Sequence, residues 1–158
     1  MLLHALITFA IAMAPGMGLR FSIPWGLTFG HLPVETVFGI SLFGETLSIV
    51  LLTYLLEPIV HLARTYIPWL DRIIHQVFLR TRHHHSARFE KFEKLLLLIA
   101  GASPVPGIGA HTGVVIAYLF GVKPATSIML ISLGMVALAI VVLLMTLGGL
   151  ELWQSLAH

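Results

Sequence analysis

A guanidinium, a carboxyl group and an imidazole stand in this chain with apolar residues on both sides. Arg20 follows the stretch "APGMG", Glu45 sits inside "LFGETLS", and His111 with Thr112 falls in "PVPGIGAHTG". A guanidinium in the middle of a bilayer costs at least ~2.5 kcal/mol unless it is paired or hydrated. Arg20 can hold a phosphate or carboxylate beside the N-terminus of a broken helix, or it can neutralise Glu45 and pin the fold. Glu45 can take up and release a proton that couples transport, or serve as half of a structural ion pair. His111 and Thr112 can contact a substrate, or be satisfied within the fold. The histidines His83, His84 and His85 can bind a metal or form a solvated loop. The chain has no cysteine, which excludes disulfides, thiolate metal sites and a cysteine nucleophile. It carries no H-E-x-x-H, no G-x-S-x-G and no P-loop. These residues therefore point to binding and transport rather than to an enzyme, and no cofactor is implied.

Composition sets the medium in which these groups act. Of 158 residues, 58% are apolar and 10% charged, against roughly 25% charged in an average soluble domain. Mean hydropathy is +0.97. A soluble protein of this size cannot hide so much apolar surface, so the sequence reads as an integral membrane protein. The net charge is +2, and seven of the nine Lys and Arg lie between Arg64 and Lys94. Basic residues placed between membrane segments argue against nucleic acid as a partner. The opening "MLLHALITFAIAMA" lacks a basic leader region, and we read it as part of the mature fold, although Ala12 and Ala14 mimic a cleavage site.

The elements that must position the polar groups come from a duplication. Sliding the chain by 91 residues lays Pro15-Gly16-Met17-Gly18 on Pro106-Gly107-Ile108-Gly109. The same shift lays Phe29-Gly30 on Phe120-Gly121, Pro33 on Pro124, and "ISL" at Ile40 on "ISL" at Ile131. Between Pro15 and Leu56, 14 of 42 aligned positions are identical. Arg20 falls on His111 and Glu45 on Val136. Each repeat predicts a short apolar arm, a Pro/Gly break, a second short arm, an F-G-x-x-P turn and a long apolar helix. The long helices, residues 34–56 and 125–150, suffice to cross ~30 Å of hydrocarbon, whereas the arms reach only the midplane. A break of this kind exposes helix ends that lipid cannot satisfy, so it must be buried in protein or line a wet cavity. Paired broken segments in two halves point to a transporter's central site. The expected substrate contacts are Arg20, His111, Thr112 and the backbones of Gly16, Gly18, Gly107 and Gly109, with Glu45 coupling. Gly26 with Gly30, matched by Ala117 with Gly121, and Gly109 with Gly113 are small-xxx-small pairs that let backbones approach.

Between the repeats, Ile59, Ala63, Tyr66, Leu70, Ile73 and Val77 recur at helical spacing opposite a polar face. This predicts an amphipathic helix in the interface, kinked at Pro68. The basic run "RTRHHHSARFEKFEK" follows it, and the excess of positive charge places residues 58–94 in the cytoplasm. Both termini are then external, and the first hairpin enters from the face opposite the second. The predicted fold is an all-α integral membrane protein: an inverted repeat of a re-entrant helical hairpin plus a transmembrane helix, joined by a cytoplasmic amphipathic helix. The divisions are 1–57 (hairpin 1–31, helix 34–56), 58–93, and 94–158 (hairpin 94–122, helix 125–150).

At "PVPGIGAHTG" the sequence resembles the small multidrug export family of prokaryotic membrane proteins. The matching residues are Pro104, Pro106, Gly107, Gly109, Ala110, Thr112 and Gly113. A second family segment, E-L-R-G-A-I-P, is matched at Leu19, Arg20, Ile23 and Pro24, with Gly18 in place of the glutamate and Phe21-Ser22 in place of Gly-Ala. The resemblance covers residues 14–149, and extends more distantly to the DedA-like proteins, which carry paired re-entrant hairpins and are associated with moving lipid phosphates. It implies a small transporter or flippase of the prokaryotic inner membrane, acting on an anionic or amphiphilic, lipid-phosphate-like or drug-like substrate. If an acid is needed near position 18, Glu45 must supply it from another helix. A non-transporting membrane scaffold or assembly factor is the alternative. With so few spanning segments, one protomer offers little wall for a cavity, so a homodimer or higher homo-oligomer among membrane lipid is expected.

Overall fold

The computed structural model describes residues 1–66, 87–104 and 109–156. Among these it contains six helices and no strand: α1 (Leu2–Met13), α2 (Gly18–Thr28), α3 (Val34–Tyr66), α4 (Ala87–Ala102), α5 (Ala110–Phe120) and α6 (Pro124–Leu156). The expectation of an all-helical chain holds. α1 packs on α2, and α4 packs on α5. With 12 and 11 residues, α1 and α2 are about 16–18 Å long, far short of a bilayer. Two stretches are long and apolar enough to cross one: Val34–Leu62 with mean hydropathy 1.7, and Pro124–Leu150 with 3.0. Only 28% of each apolar window is buried. Large apolar side chains such as Phe43, Leu144 and Met145 instead face outward, which suits lipid rather than water.

Helix ends differ from the sequence reading in two places. The first long helix, expected to stop at residue 56, runs through Pro58 to Tyr66. Proline removes one helical hydrogen bond, and the helix-spaced apolar residues on both sides carry the helix across that gap. α4 begins at Ala87, seven residues before the expected hairpin, because "ARFEKFEK" is built mainly of good helix formers. The expected kink at Pro68, the histidines 83–85, and Pro106 and Gly107 of the second break lie outside the described residues.

The chain divides into two compact units, Met1–Ser48 with the chain from Met135 onward, and Ile49–Gly134. Each unit holds one short helix pair and the opening part of the long helix that follows it. In the first unit, Ala12, Leu19, Ile23, Val37, Met135 and Ala139 are fully buried. α3 lies against α1 at Gly44, where a Cβ would come within 2.9 Å of the Ala12 Cβ. It lies against α2 at Gly26, where a Cβ would meet both methyls of Val37 at 2.9 Å. The Ser48 hydroxyl donates to the Met13 carbonyl at 2.9 Å, tying α3 to the end of α1.

The second unit repeats this plan with closer backbones. A Cβ on Gly101 would overlap the Ile131 carbonyl, and one on Gly134 would overlap the Leu98 carbonyl. α4 and α6 thus cross backbone to backbone, as small residues permit. Gly113 of α5 rests against Ala100 and Ile131. The F-G-x-x-P segments are turns in both halves. Gly121, at φ +71°, ends α5 with Val122 N–H donating to the Ala117 carbonyl at 2.9 Å and Gly121 N–H to the Tyr118 carbonyl at 3.1 Å, a left-handed helix stop. In the first half the left-handed residue is His31 rather than Gly30. Gly30 and Gly121 are accordingly end-of-helix residues, and of the small-residue pairs it is Gly26 and Gly113 that pack against neighbouring helices.

Candidate functional site

The first break starts where Ala14 turns extended and ends α1. Gly16 and Gly18 both take left-handed backbone, φ +89° and +55°, a region that L side chains enter at a cost of about 1–2 kcal/mol. Gly16 is exposed, with nothing near its missing Cβ, so it serves the turn. Gly18 is buried and begins α2. The first amides of a helix have no partner within it and favour a negative group. No side chain of α2's own cap residue fills that role. Instead Glu45, reaching across from α3, accepts a hydrogen bond from the Leu19 N–H at 2.7 Å through its Oε2.

Gly18 makes this approach possible. A Cβ there would lie 2.5 Å from Glu45 Oε1, 2.7 Å from Cδ and 2.9 Å from Oε2. The carboxyl group thus occupies the space in which a side chain at position 18 would begin. Glu45 is only 6% exposed. Arg20, half-buried one residue further along α2, lies within electrostatic reach of it. A helix N-terminus, a carboxyl group and a guanidinium therefore share one buried corner of the first unit.

The residues of the second break belong to the second unit. Gly109 is buried and extended just before α5, and its carbonyl accepts from the Gly113 N–H at 2.9 Å. His111 and Thr112 are half-buried in the first turn of α5. Both, like Arg20, are engaged by other groups of the chain. The structure thus brings Gly18, Arg20 and Glu45 together, places Gly109, His111 and Thr112 together in their own unit, and leaves Gly16 at a turn. Gly107 lies outside the described residues.

Residues 18–142 match the family described as "Putative small multi-drug export protein". The chain belongs to this family. The match takes in most of the chain, including α3 and both described groups of site residues, and places it among membrane transport proteins. No curated protein matches it, and no solved structure does. The small multi-drug export match begins at Gly18. Glu45 sets its carboxyl group against that very residue.

Two further residues of this corner escaped the sequence reading. Ser22 of α2 and Ser41 of α3 are fully buried. The signal was present: Ser41 belongs to the "ISL" triplet shared by both repeats and stands four residues before Glu45, on the same helix face. An open apolar groove of about 380 Å³ runs beside α2, lined by Ile11, Met17, Phe21, Trp25 and Phe29 among others.

Proposed function

We propose that the chain is a small membrane transporter or flippase that moves an anionic or amphiphilic substrate, handling its anionic group at the first break. The observation that carries this reading is the Glu45 carboxyl group seated on the Leu19 N–H beside Arg20. A chain that already holds an acid on a helix N-terminus inside an apolar protein offers the chemistry a phosphate or carboxylate needs. The substrate's anionic group competes with Glu45 for the amide and the guanidinium, and a proton taken up by Glu45 favours the exchange. The apolar groove lined by Met17, Phe21 and Trp25 suits the tail of an amphiphile. The short hairpins dip partway into the bilayer from opposite faces, and the chain works as a homo-oligomer in the inner membrane.

The test is flux in reconstituted vesicles at equal protein level, with a fluorescent lipid-phosphate analogue and a cationic dye as separate probes. Arg20→Ala abolishes transport of the phosphate probe while membrane insertion is retained. Unchanged flux overturns the reading. A non-transporting scaffold is the second reading, favoured by the same Glu45–Leu19 bond taken as a structural clamp. It predicts tolerance of Arg20→Ala alongside intolerance at the packed glycines Gly26 and Gly113.

A further inference from the structure

Hydroxyl groups in an apolar medium ordinarily donate back to the carbonyl four residues earlier. Thr8, Thr28, Thr53, Ser127 and Thr146 all do so here, at 2.7–3.1 Å. Ser22 and Ser41 do not. Each lies in a helix with such a carbonyl available, each is 0% exposed, and the Oγ of each is buried without a hydrogen-bond partner. An orphaned buried hydroxyl is costly and calls for an explanation.

Helix register places the two serines together. α2 and α3 meet at Gly18 with Glu45, and again at Gly26 with Val37. Eight residues forward on α2 therefore correspond to eight residues back on α3, so the helices run antiparallel. Ser22 and Ser41 fall midway between the two contacts, at the same level of the seam. They are not bonded to each other. A water between two buried polar groups satisfies both of them. One helical turn along the same faces are Gly18 and the Glu45 carboxyl group.

We propose that one water molecule is bound in the α2–α3 seam by Ser22 and Ser41, next to Glu45. Three polar partners suffice to hold a buried water. A neutral ligand fits better than a cation, because Arg20 already supplies positive charge to this corner. The role of this water as a route by which Glu45 exchanges protons rests on the reading of Glu45 as a coupling acid; the water site itself does not. The second repeat carries a sign of the same design. Ser132, the counterpart of Ser41, also has a buried hydroxyl without a partner.

The experiment is a double-mutant cycle on the full chain in nanodiscs. Ser22→Ala and Ser41→Ala each lower the melting temperature by about 2–4 °C. The double variant falls by clearly less than the sum, because the water departs with the first hydroxyl. Removing a hydroxyl that has no ligand is neutral or stabilising, so single variants that melt at or above the parent overturn the proposal. Fully additive losses overturn it too. A melting temperature raised by sodium relative to potassium overturns it in favour of a cation. Deuterium uptake at the Glu45 carboxyl band, identified by its loss in Glu45→Gln, reads the proton route and slows in the double variant. If the cycle shows coupling while Glu45→Gln leaves flux intact, the reading of Glu45 as a coupling acid fails and the water stands.

Discussion

Gly18→Ala tests whether Gly18 and Glu45 form one unit. The new methyl stands 2.5–2.9 Å from three atoms of the Glu45 carboxyl group. Ordinary contact begins near 3.4 Å, so the carboxyl group must retreat by up to about 1 Å, which breaks the 2.7 Å bond to the Leu19 N–H. Losing a hydrogen bond to a charged group costs about 1.5–3 kcal/mol. Holding alanine at φ +55° adds about 1–2 kcal/mol of backbone strain. The expected loss is therefore about 2.5–5 kcal/mol in the parent chain. With Glu45 already replaced by alanine, only the strain remains, about 1–2 kcal/mol. Equilibrium unfolding in mixed micelles of the parent, both single variants and the double variant gives the coupling directly, expected at about 1.5–3 kcal/mol. Gly39→Ala is the control: nothing lies within 4 Å of its missing Cβ, and it gains up to about 1 kcal/mol of helix propensity. If Gly18→Ala costs the same with and without Glu45, the two residues are not coupled and the account of the first break is wrong.

Gly134→Ala places a methyl onto the Leu98 carbonyl, which no rotamer relieves, and lowers stability by about 3 kcal/mol in the same unfolding assay; an unchanged midpoint would show that α4 and α6 do not cross there. The chain has no cysteine, so single-cysteine labelling is clean. On the proposed inverted-repeat topology, His31→Cys is modified from outside intact cells and Lys123→Cys only after the cytoplasm is opened. Labelling of both from one side refutes the inversion.

What could be read from the sequence was local. Pro15-Gly16 and the apolar arms around it dictate a short helix pair, since the left-handed backbone at Gly16 and Gly18 and the loss of a donor at Pro15 act within a few residues. The turn residues Gly121 and Pro124 act over the same range. The helix ends were less legible. Pro58 looked like a boundary, yet one missing hydrogen bond does not outweigh the helical preference of its flanks. Hidden from the sequence altogether was which residues meet across helices. The apposition of Glu45 with Gly18 depends on the register of α3 against α2, and that register is set by the packing of Gly26 on Val37 and Gly44 on Ala12.

That register explains how an acid at position 45 serves the first turn of α2. The requirement at the first turn of α2 is a negative group within hydrogen-bond distance of an amide, and it does not specify the helix from which the group comes. An acid at position 18 would meet it along α2. An acid at position 45 meets it through space, provided that position 18 has no side chain, since a Cβ there and the carboxyl group claim the same volume. Glycine at 18 and glutamate at 45 are thus a matched pair, and either residue without the other leaves α2 with an unfilled amide or a steric clash. The pair also changes what the acid can do. A glutamate anchored in α3 moves with a long helix that continues well beyond the break, so displacement of its carboxyl group from Leu19 releases a contact between a short hairpin and a long helix. On the proposed reading, the exchange of one anion for another takes place across a helix–helix seam, where it can be converted into relative motion of the two elements.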